Sequence, residues 1–353
     1  MDRDEAREIK SQLADYVHDL AQREVHASGV ATDIVPTLGL GLAPRGEGSY
    51  VLAVRYWLGS PRVRAIARRV AEQVGPVAAD VRRTGRIRPL SQPAPLPGDR
   101  SADGSPSSDG AAPQRKGPRP PVVTALAAGE TSRVRPLRPG VSIAHVDVSA
   151  GTLGAFVRVD GVLHALSNYH VLAGSPRAET GDVVVQPGPA DGGRAPRDRV
   201  GTLASTVPLR PGRTATVDAA LALLDEQEVD LDYPVGRVTR TAVALGGEDV
   251  VKIGRTTAVT TGRVTAIELD DIVVGYGDEL GDLRFDDQIE VESTGPGPFS
   301  RGGDSGSLVC TRDGIALGLL FAGSETGGDN GTGLTYLNPI DTVLAALGAE
   351  LAQ

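Results

Sequence analysis

The chain has 353 residues, 40% of them apolar and 23% charged, and a net charge of −9. That length allows about two domains at roughly 150 residues each, and the balance is that of a globular chain rather than a disordered one. No apolar run approaches the ~20 residues of a membrane-spanning helix, and a single cysteine, Cys310, excludes an internal disulfide or a multi-cysteine zinc site.

The charge is unevenly spread. Residues 1–90 carry 14 basic and 11 acidic side chains, whereas residues 122–353 carry 18 and 31. No basic stripe for a nucleic-acid duplex is visible, so nucleic acid is not expected as a partner. A membrane is not expected either. The N-terminus is charged from its second residue and carries no apolar signal core. With one cysteine, expected to be a small buried hydrophobe, the chain is expected to be cytoplasmic.

In chain order, Ile9, Leu13, Val17, Leu20 and Ala21 recur at helical spacing and predict a helix over residues 3–25. Ser49 to Trp57 predicts a strand, rich in β-branched and aromatic residues. Ser60-Pro61 predicts the cap of a second helix, running through Val63, Ile66, Val70 and Val74 to a stop at Gly75. Val77 to Ile87 adds one more strand. Residues 1–89 therefore read as a small α/β domain, regulatory or protein-binding in role. Residues 90–135 read as a flexible linker. Its stretch to Pro121 is dense in Pro, Gly, Ser and Asp, with too little apolar surface to offset the entropy of ordering. From residue 136 to 353, short β-type runs alternate with Gly- and Asp-containing turns, as in an all-β barrel or sandwich. Helical spacing returns only at Pro339–Leu351.

The strongest chemical signal is Gly302-Gly-Asp-Ser305-Gly-Ser307. A serine hydroxyl needs an adjacent base and converging backbone N–H groups for the oxyanion, which flanking glycines permit. Of five histidines, His18 and His26 fall in or just after the first helix, and His145 and His164 fall inside strands. His170 follows an apolar run, where a rigid scaffold holds functional side chains. Asp218 heads the apolar run Ala219–Leu224, and a histidine partner would remove the cost of burying its carboxylate. Asp230 and Asp232 are weaker rivals in a polar loop.

The order His170, Asp218, Ser305 resembles that of the trypsin/chymotrypsin-like serine peptidases. Ser167-Asn-Tyr-His170-Val-Leu resembles the family's histidine motif, Asp218-Ala-Ala-Leu-Ala its aspartate motif, and Gly303-Asp-Ser-Gly-Ser307 its nucleophile motif. Gly318–Ser324 resembles the strand lining the substrate cleft, and Pro339–Leu351 the C-terminal helix. Ala150–Gly154, Gln186–Ala190 and Gly254-Arg-Thr-Thr257 look closer to intracellular bacterial and plant trypsin-like peptidases, some of which begin with a small α/β domain.

The resemblance implies a mainly β fold of two six-stranded antiparallel barrels with the site between them. It implies a serine endopeptidase with catalytic His170, Asp218 and Ser305, oxyanion donors Gly303 and Ser305, a protein or peptide substrate, and no cofactor or metal. In secreted digestive relatives the aspartate at the place of Asp304 pairs with a new N-terminus. No Ile-Val-Gly-Gly-type start stands near residue 140, so Asp304 is expected to bond nearby backbone or an arginine. Two rival readings are a catalytically silent barrel used as a binding or scaffold module, and a protease that mainly processes its own linker.

By position, the resemblance puts Phe299 at the floor of the specificity pocket and Gly323 and Gly333 at its walls. That layout predicts cleavage after an apolar residue. A rival layout has Glu325 or Asp329 reaching the pocket and favours a basic residue. The acidic stretch Asp270–Asp287 does not match a calcium loop and is expected to be a solvated hairpin.

Overall fold

A computed structural model describes residues 1–28, 38–46, 48–56, 67–70, 72, 79–90, 130–233 and 236–352. Helix α1 (Arg3–Ser28) opens the chain, with Asp4 and Glu5 complementing the dipole of its first turn. Its Leu13 and Val17 pack on Leu38, Leu40, Leu52 and Val54, which come from β1 (Leu38–Pro44) and β2 (Tyr50–Tyr56). Ala67 and Val70 join the same cluster. The rest of the second predicted helix, and the side chains of His18, Leu20, Ala21 and His26, lie outside the described residues. β3 (Ala79–Arg83) runs parallel to β2, and β4 (Arg88–Pro89) follows it.

The sequence reading missed β1. Its Leu-Gly-Leu-Gly-Leu pattern lacks β-branched residues, and its glycines are there for close packing: a Cβ on Gly39 would meet Ile272 Cδ1 at 2.8 Å, and one on Gly41 would meet Leu269 Cδ2 at 2.7 Å.

Residues 91–129, most of the predicted linker, lie outside the described residues. Its last residues, 130–135, are fixed: Ser142 N–H donates to the Glu130 carbonyl at 2.7 Å and Val134 N–H to Gln186 Oε1 at 3.0 Å.

The first sheet of the larger unit uses β5 (Ser142–His145), β6 (Gly151–Thr152), β7 (Ala155–Val159), β8 (Val162–Ser167), β9 (Val183–Val185) and β10 (Arg199–Thr206). The chain continues with β11 (Thr214–Ala215), β12 (Ala220–Leu224), β13 (Asp232–Tyr233), β14 (Gly236–Arg237) and β15 (Arg240–Thr241). The second sheet uses β16 (Asp249–Gly254), β17 (Ala258–Asp270), β20 (Gln288–Ser293), β21 (Leu308–Thr311), β22 (Ile315–Gly323) and β23 (Leu334–Pro339). β18 (Ile272–Gly275) and β19 (Asp282–Phe285) form a hairpin after β17, and β24 (Glu350–Leu351) ends the chain.

The first sheet has the order β24-β7-β8-β12-β10-β9-β5-β6 and curves into a half-barrel. The second runs β16-β21-β22-β23-β20-β17 and closes through β16–β17 pairing into a six-stranded barrel. This is the mainly β, trypsin-like double-barrel fold that the resemblance implies, with one barrel closed at six strands and the other an open half-barrel rather than a second six-stranded barrel. The helix Ile340–Leu347 buries Ile340, Val343 and Leu347 in a cluster with Ala155, Leu166, Leu308 and Leu319. It stops earlier than predicted, at Gly348 (φ 60°), and the last residues pair with β7 instead.

The N-terminal residues extend the closed barrel. β17 is 13 residues long; its first half pairs with β16, and its second half pairs with β1 through Leu40↔Asp270 and Leu42↔Ile267.

Candidate active site

β8 and β12 are antiparallel, with Ala220 opposite Ser167. That register sets Asp218, just before β12, against the short helix Tyr169–Leu172 that follows β8. The fully buried Asp218 carboxylate accepts the His170 backbone N–H through Oδ1 at 3.2 Å. The His170 ring Nδ1–H donates to its Oδ2. Asn168 Nδ2 donates to the Asp218 carbonyl at 2.7 Å, and Asn338 Oδ1 accepts the Asp218 N–H at 2.9 Å. A third donor to the carboxylate is Tyr276 Oη, 2.5 Å from Oδ2. The Tyr276 ring stands edge-on to His170, with centroids 5.9 Å apart. Burial first, and then the charge of Asp218, push the Tyr276 hydroxyl well above its ordinary pKa, so it stays protonated and donates.

Ser305 lies on a turn between two glycines that admit no side chain. Gly303 has φ +101°, and a Cβ there would meet Thr256 Oγ1 at 2.3 Å. Gly306 has φ +94°, and a Cβ would meet Ser167 Oγ at 2.1 Å and the Thr152 carbonyl at 2.2 Å. The turn is thereby pressed against the end of β8, three residues before His170. Ser305 Oγ–H donates to the Phe321 carbonyl at 3.2 Å on β22. β22 also pairs with β23 at Leu319↔Asn338, which links it to the residue holding Asp218 N–H.

Asp304 bonds backbone, as expected, but its charge partner is a lysine rather than an arginine. It accepts N–H groups of Thr256 (2.8 Å), Thr257 (3.1 Å) and Arg301 (2.9 Å). The Lys252 ammonium stands 3.5 Å away, and both side chains are fully buried. Burial draws the Lys252 ammonium below its ordinary pKa, against the opposing pull of Asp304. An internal amine thus stands beside the Asp304 carboxylate. Gly254-Arg-Thr-Thr257 forms the rest of this cradle. Thr256 Oγ1 donates to the Gly302 carbonyl at 2.6 Å, and Arg255 Nε reaches Asp191 at 2.8 Å.

The chain's own β4 lies in the cleft. It pairs antiparallel with β22 through Pro89↔Ala322 and Arg88↔Gly323. Leu90 N–H lies 3.0 Å from Ser305 Oγ and 3.4 Å from the Phe321 carbonyl. Gly303 N–H donates to the Leu90 carbonyl oxygen. A Cβ on Gly323 would sit 3.3 Å from Leu90 Cδ1, so Gly323 borders that side chain. Phe299 is buried in the cluster on which Leu90 packs, with Val264 and Leu320. Gly333 (φ +98°) lies against the Ser324 carbonyl. Glu325 is exposed, and Asp329 pairs with Arg82 at 3.3 Å.

The remaining candidates take other roles. His145 Nε2 pairs with Asp182 at 3.2 Å, and His164 Nδ1 bonds the Val162 carbonyl. Asp230 accepts the Asp232 N–H in a turn. Asp270, Asp271, Glu279 and Asp282 pair with Lys10, Arg284, Arg177 and Arg86 respectively, so the acidic stretch is not merely solvated. Among the described residues no cluster of three or more His, Cys, Asp or Glu could hold a metal, and no helix is long and apolar enough to cross a membrane. An open cavity of about 960 Å³, lined by Tyr50, Asp80, Arg82 and Glu248, lies at the junction of the N-terminal residues and the closed barrel, away from Ser305.

Sequence reasoning missed Tyr276, Lys252, Asn338 and Leu90. Only Lys252, a lone charge inside the apolar run Val250–Ile253, carried a local signal.

Fold and motifs together make the chain similar to the trypsin/chymotrypsin-like serine peptidases. In sequence it is 35% identical over 125 residues to streptogrisin-D of Streptomyces griseus, an alignment covering 35% of this chain and 28% of that protein's length. Among solved structures, protease A of Thermobifida fusca superposes with a TM-score of 0.44 at 22% identity, over 62% of this chain and 98% of that one. A chymotrypsin of Cellulomonas bogoriensis gives 0.41 at 22% identity, over 61% and 98%. No family model matches the chain.

Proposed function

We propose that the chain is a serine endopeptidase, with residues 136–353 as its catalytic unit and residues 1–89 as an N-terminal unit that docks on it. The reading is carried by the Asp218 carboxylate, which binds both the backbone N–H and the ring Nδ1–H of His170. That leaves Nε2 as the basic nitrogen of a fixed tautomer. His170 takes the proton of Ser305 Oγ as it attacks the peptide carbonyl. The N–H groups of Gly303 and Ser305 stabilise the oxyanion. His170 then protonates the leaving amine, and water hydrolyses the acyl-enzyme. No step calls for a cofactor. Phe299 and the glycines 323 and 333 shape a seat for an apolar residue before the cut bond, since an unpaired cation would be costly there. A chain with one cysteine needs no oxidising compartment, which favours a cytoplasmic address.

A fluorophosphonate probe tests the reading. Because Leu90 sits on Ser305, the probe is applied to the wild-type chain and to Leu90→Asp, whose carboxylate the apolar seat rejects. Labelling of either, lost on Ser305→Ala, is the expected result. Absence of labelling in both would overturn the proposal.

A further inference from the structure

We propose that Thr256 holds the oxyanion site open: its hydroxyl fixes the Gly302–Gly303 peptide so that the Gly303 N–H faces the cleft. Thr256 is a positioning residue that acts through Gly303, and its role rests on the serine peptidase reading above.

The two proposed oxyanion donors are not secured alike. The Ser305 N–H belongs to the Asp304–Ser305 peptide. The carbonyl of that peptide is held inside the turn, by the Ser307 N–H at 3.0 Å and the Ser307 Oγ–H at 2.6 Å. The Gly303 N–H belongs to a peptide with glycine on both sides, and glycine takes either sign of φ at little cost. Turning that peptide over rotates ψ of Gly302 against φ of Gly303 and leaves its neighbours in place. The bond from Thr152 Oγ1 to the Gly303 carbonyl at 2.8 Å therefore does not oppose the turn. In the turned form the Gly302 carbonyl oxygen faces the cleft, and an oxyanion there meets an acceptor instead of a donor.

A planar trans peptide points its C=O and N–H in opposite directions, so holding the Gly302 oxygen aims the Gly303 N–H. Thr256 Oγ1 donates to that oxygen at 2.6 Å. Thr256 is itself fixed from two sides. Its backbone N–H donates to Asp304 Oδ1 at 2.8 Å. Its hydroxyl oxygen accepts from Arg255 Nη1 at 3.1 Å, which leaves the one hydroxyl proton for Gly302. Arg255 is gripped in turn by Asp191, with Nε 2.8 Å from Oδ2, and both side chains are buried. Charge acts in the same direction. Arg255 Nη1 lies 3.0 Å from the place of a Cβ on Gly303, and a buried guanidinium attracts the carbonyl end of a peptide and repels its N–H end. Residues 186–191 and 254–257, which the triad does not use, thus meet through one chain of bonds that ends on the Gly302 carbonyl.

The test uses the full chain carrying Leu90→Asp, whose cleft admits an added peptide, and a chromogenic peptide with Leu before the cut bond. Thr256→Val in that chain is expected to lower kcat about 100-fold, the scale of losing one oxyanion donor, while KM stays within about twofold. Affinity for a peptidyl trifluoromethyl ketone, whose adduct with Ser305 carries the oxyanion, is expected to fall in proportion to kcat. Thr256→Ser keeps the donor and is expected to hold kcat within about threefold. Thr256→Ala removes the same hydroxyl with less bulk and is expected to match Thr256→Val, which keeps the test decisive where the valine variant misfolds. A kcat within about twofold of the parent after the hydroxyl is removed, an equal loss in Thr256→Ser, or a loss carried by KM with ketone affinity unchanged overturns this inference and leaves the proposed function standing. No hydrolysis by wild type and Leu90→Asp alike overturns the proposed function, and this inference falls with it.

Discussion

Asp218 shows how a buried carboxylate becomes tolerable: three donors converge on it, from the His170 backbone, the His170 ring and Tyr276. In the proposed mechanism the hydroxyl and the imidazole are the reacting groups, so Ser305→Ala and His170→Ala are each expected to lower kcat/KM on peptides by ~10⁴-fold or more. Asp218→Asn takes away the acceptor that fixes the tautomer and is expected to cost a similar factor. Tyr276→Phe deletes one donor of three. A hydrogen bond to a charged group is worth roughly 1.5 to 3 kcal/mol, an upper bound of about 10- to 150-fold; because the bond is already made before reaction, only part of it counts, and a loss of about 10-fold in kcat with KM unchanged is expected in steady-state kinetics. A fall no larger than twofold would show that Tyr276 only fills space. Cys310 behaves oppositely: burial pushes its thiol up to about 12. Iodoacetamide is therefore expected to leave it untouched in the folded chain near neutral pH and to alkylate it after denaturation.

At the scale of elements, the Ser305 turn is over-determined by backbone. Gly306→Ala must hold φ +94° and push a methyl into the Thr152 carbonyl and Ser167. A loss of roughly 2–3 kcal/mol is expected, from left-handed strain and overpacking together. A thermal melt checks it, and an unchanged midpoint would mean that the turn relaxes freely. The same turn explains why a candidate site was legible in the sequence at all. Gly303-Asp-Ser-Gly306, a histidine after an apolar run and an aspartate before one are local patterns, each tied to the strand beside it. Tyr276 has no such pattern, because its partner lies 58 residues away and only the folding of the β18–β19 hairpin brings them together. β1 was illegible for a different reason: its glycines answer to Ile272 and Leu269 across the sheet rather than to their own neighbours. Leu90 was illegible because it ends a compositionally plain segment, and its meaning comes wholly from the cleft into which that segment folds.

For the whole molecule, the division of charge has a structural use. The basic N-terminal residues face the acidic larger unit: Arg3 and Arg7 bind Glu268, and Lys10 binds Asp270 at 2.6 Å. Arg55 and Arg82 hold Asp80, Glu290 and Glu292 deeper in. Acid should therefore loosen this junction first. Burial raises the Asp80 carboxyl, but the Arg55 and Arg82 guanidiniums outweigh it and leave it below its ordinary value of 3.8. Burial likewise raises Glu268, and its bonds to Arg7 and Arg3 bring it below 4.5. A carboxylate depressed in the folded state contributes stability that is fully present above its ordinary value. That stability is lost as pH falls through the lower folded value. Asp286 and Asp287 act in the other direction. Burial and neighbouring carboxylates raise them, so protonating them relieves repulsion and partly offsets the loss. Amide exchange measured between about pH 6 and about pH 3 separates the two units. Protection in β1 and β2 is expected to fall below about pH 4, while β20 and β23 inside the closed barrel keep theirs. Loss of protection in all four strands at one pH would mean that the junction is no weaker than the barrel, and that these ion pairs do not set its acid limit.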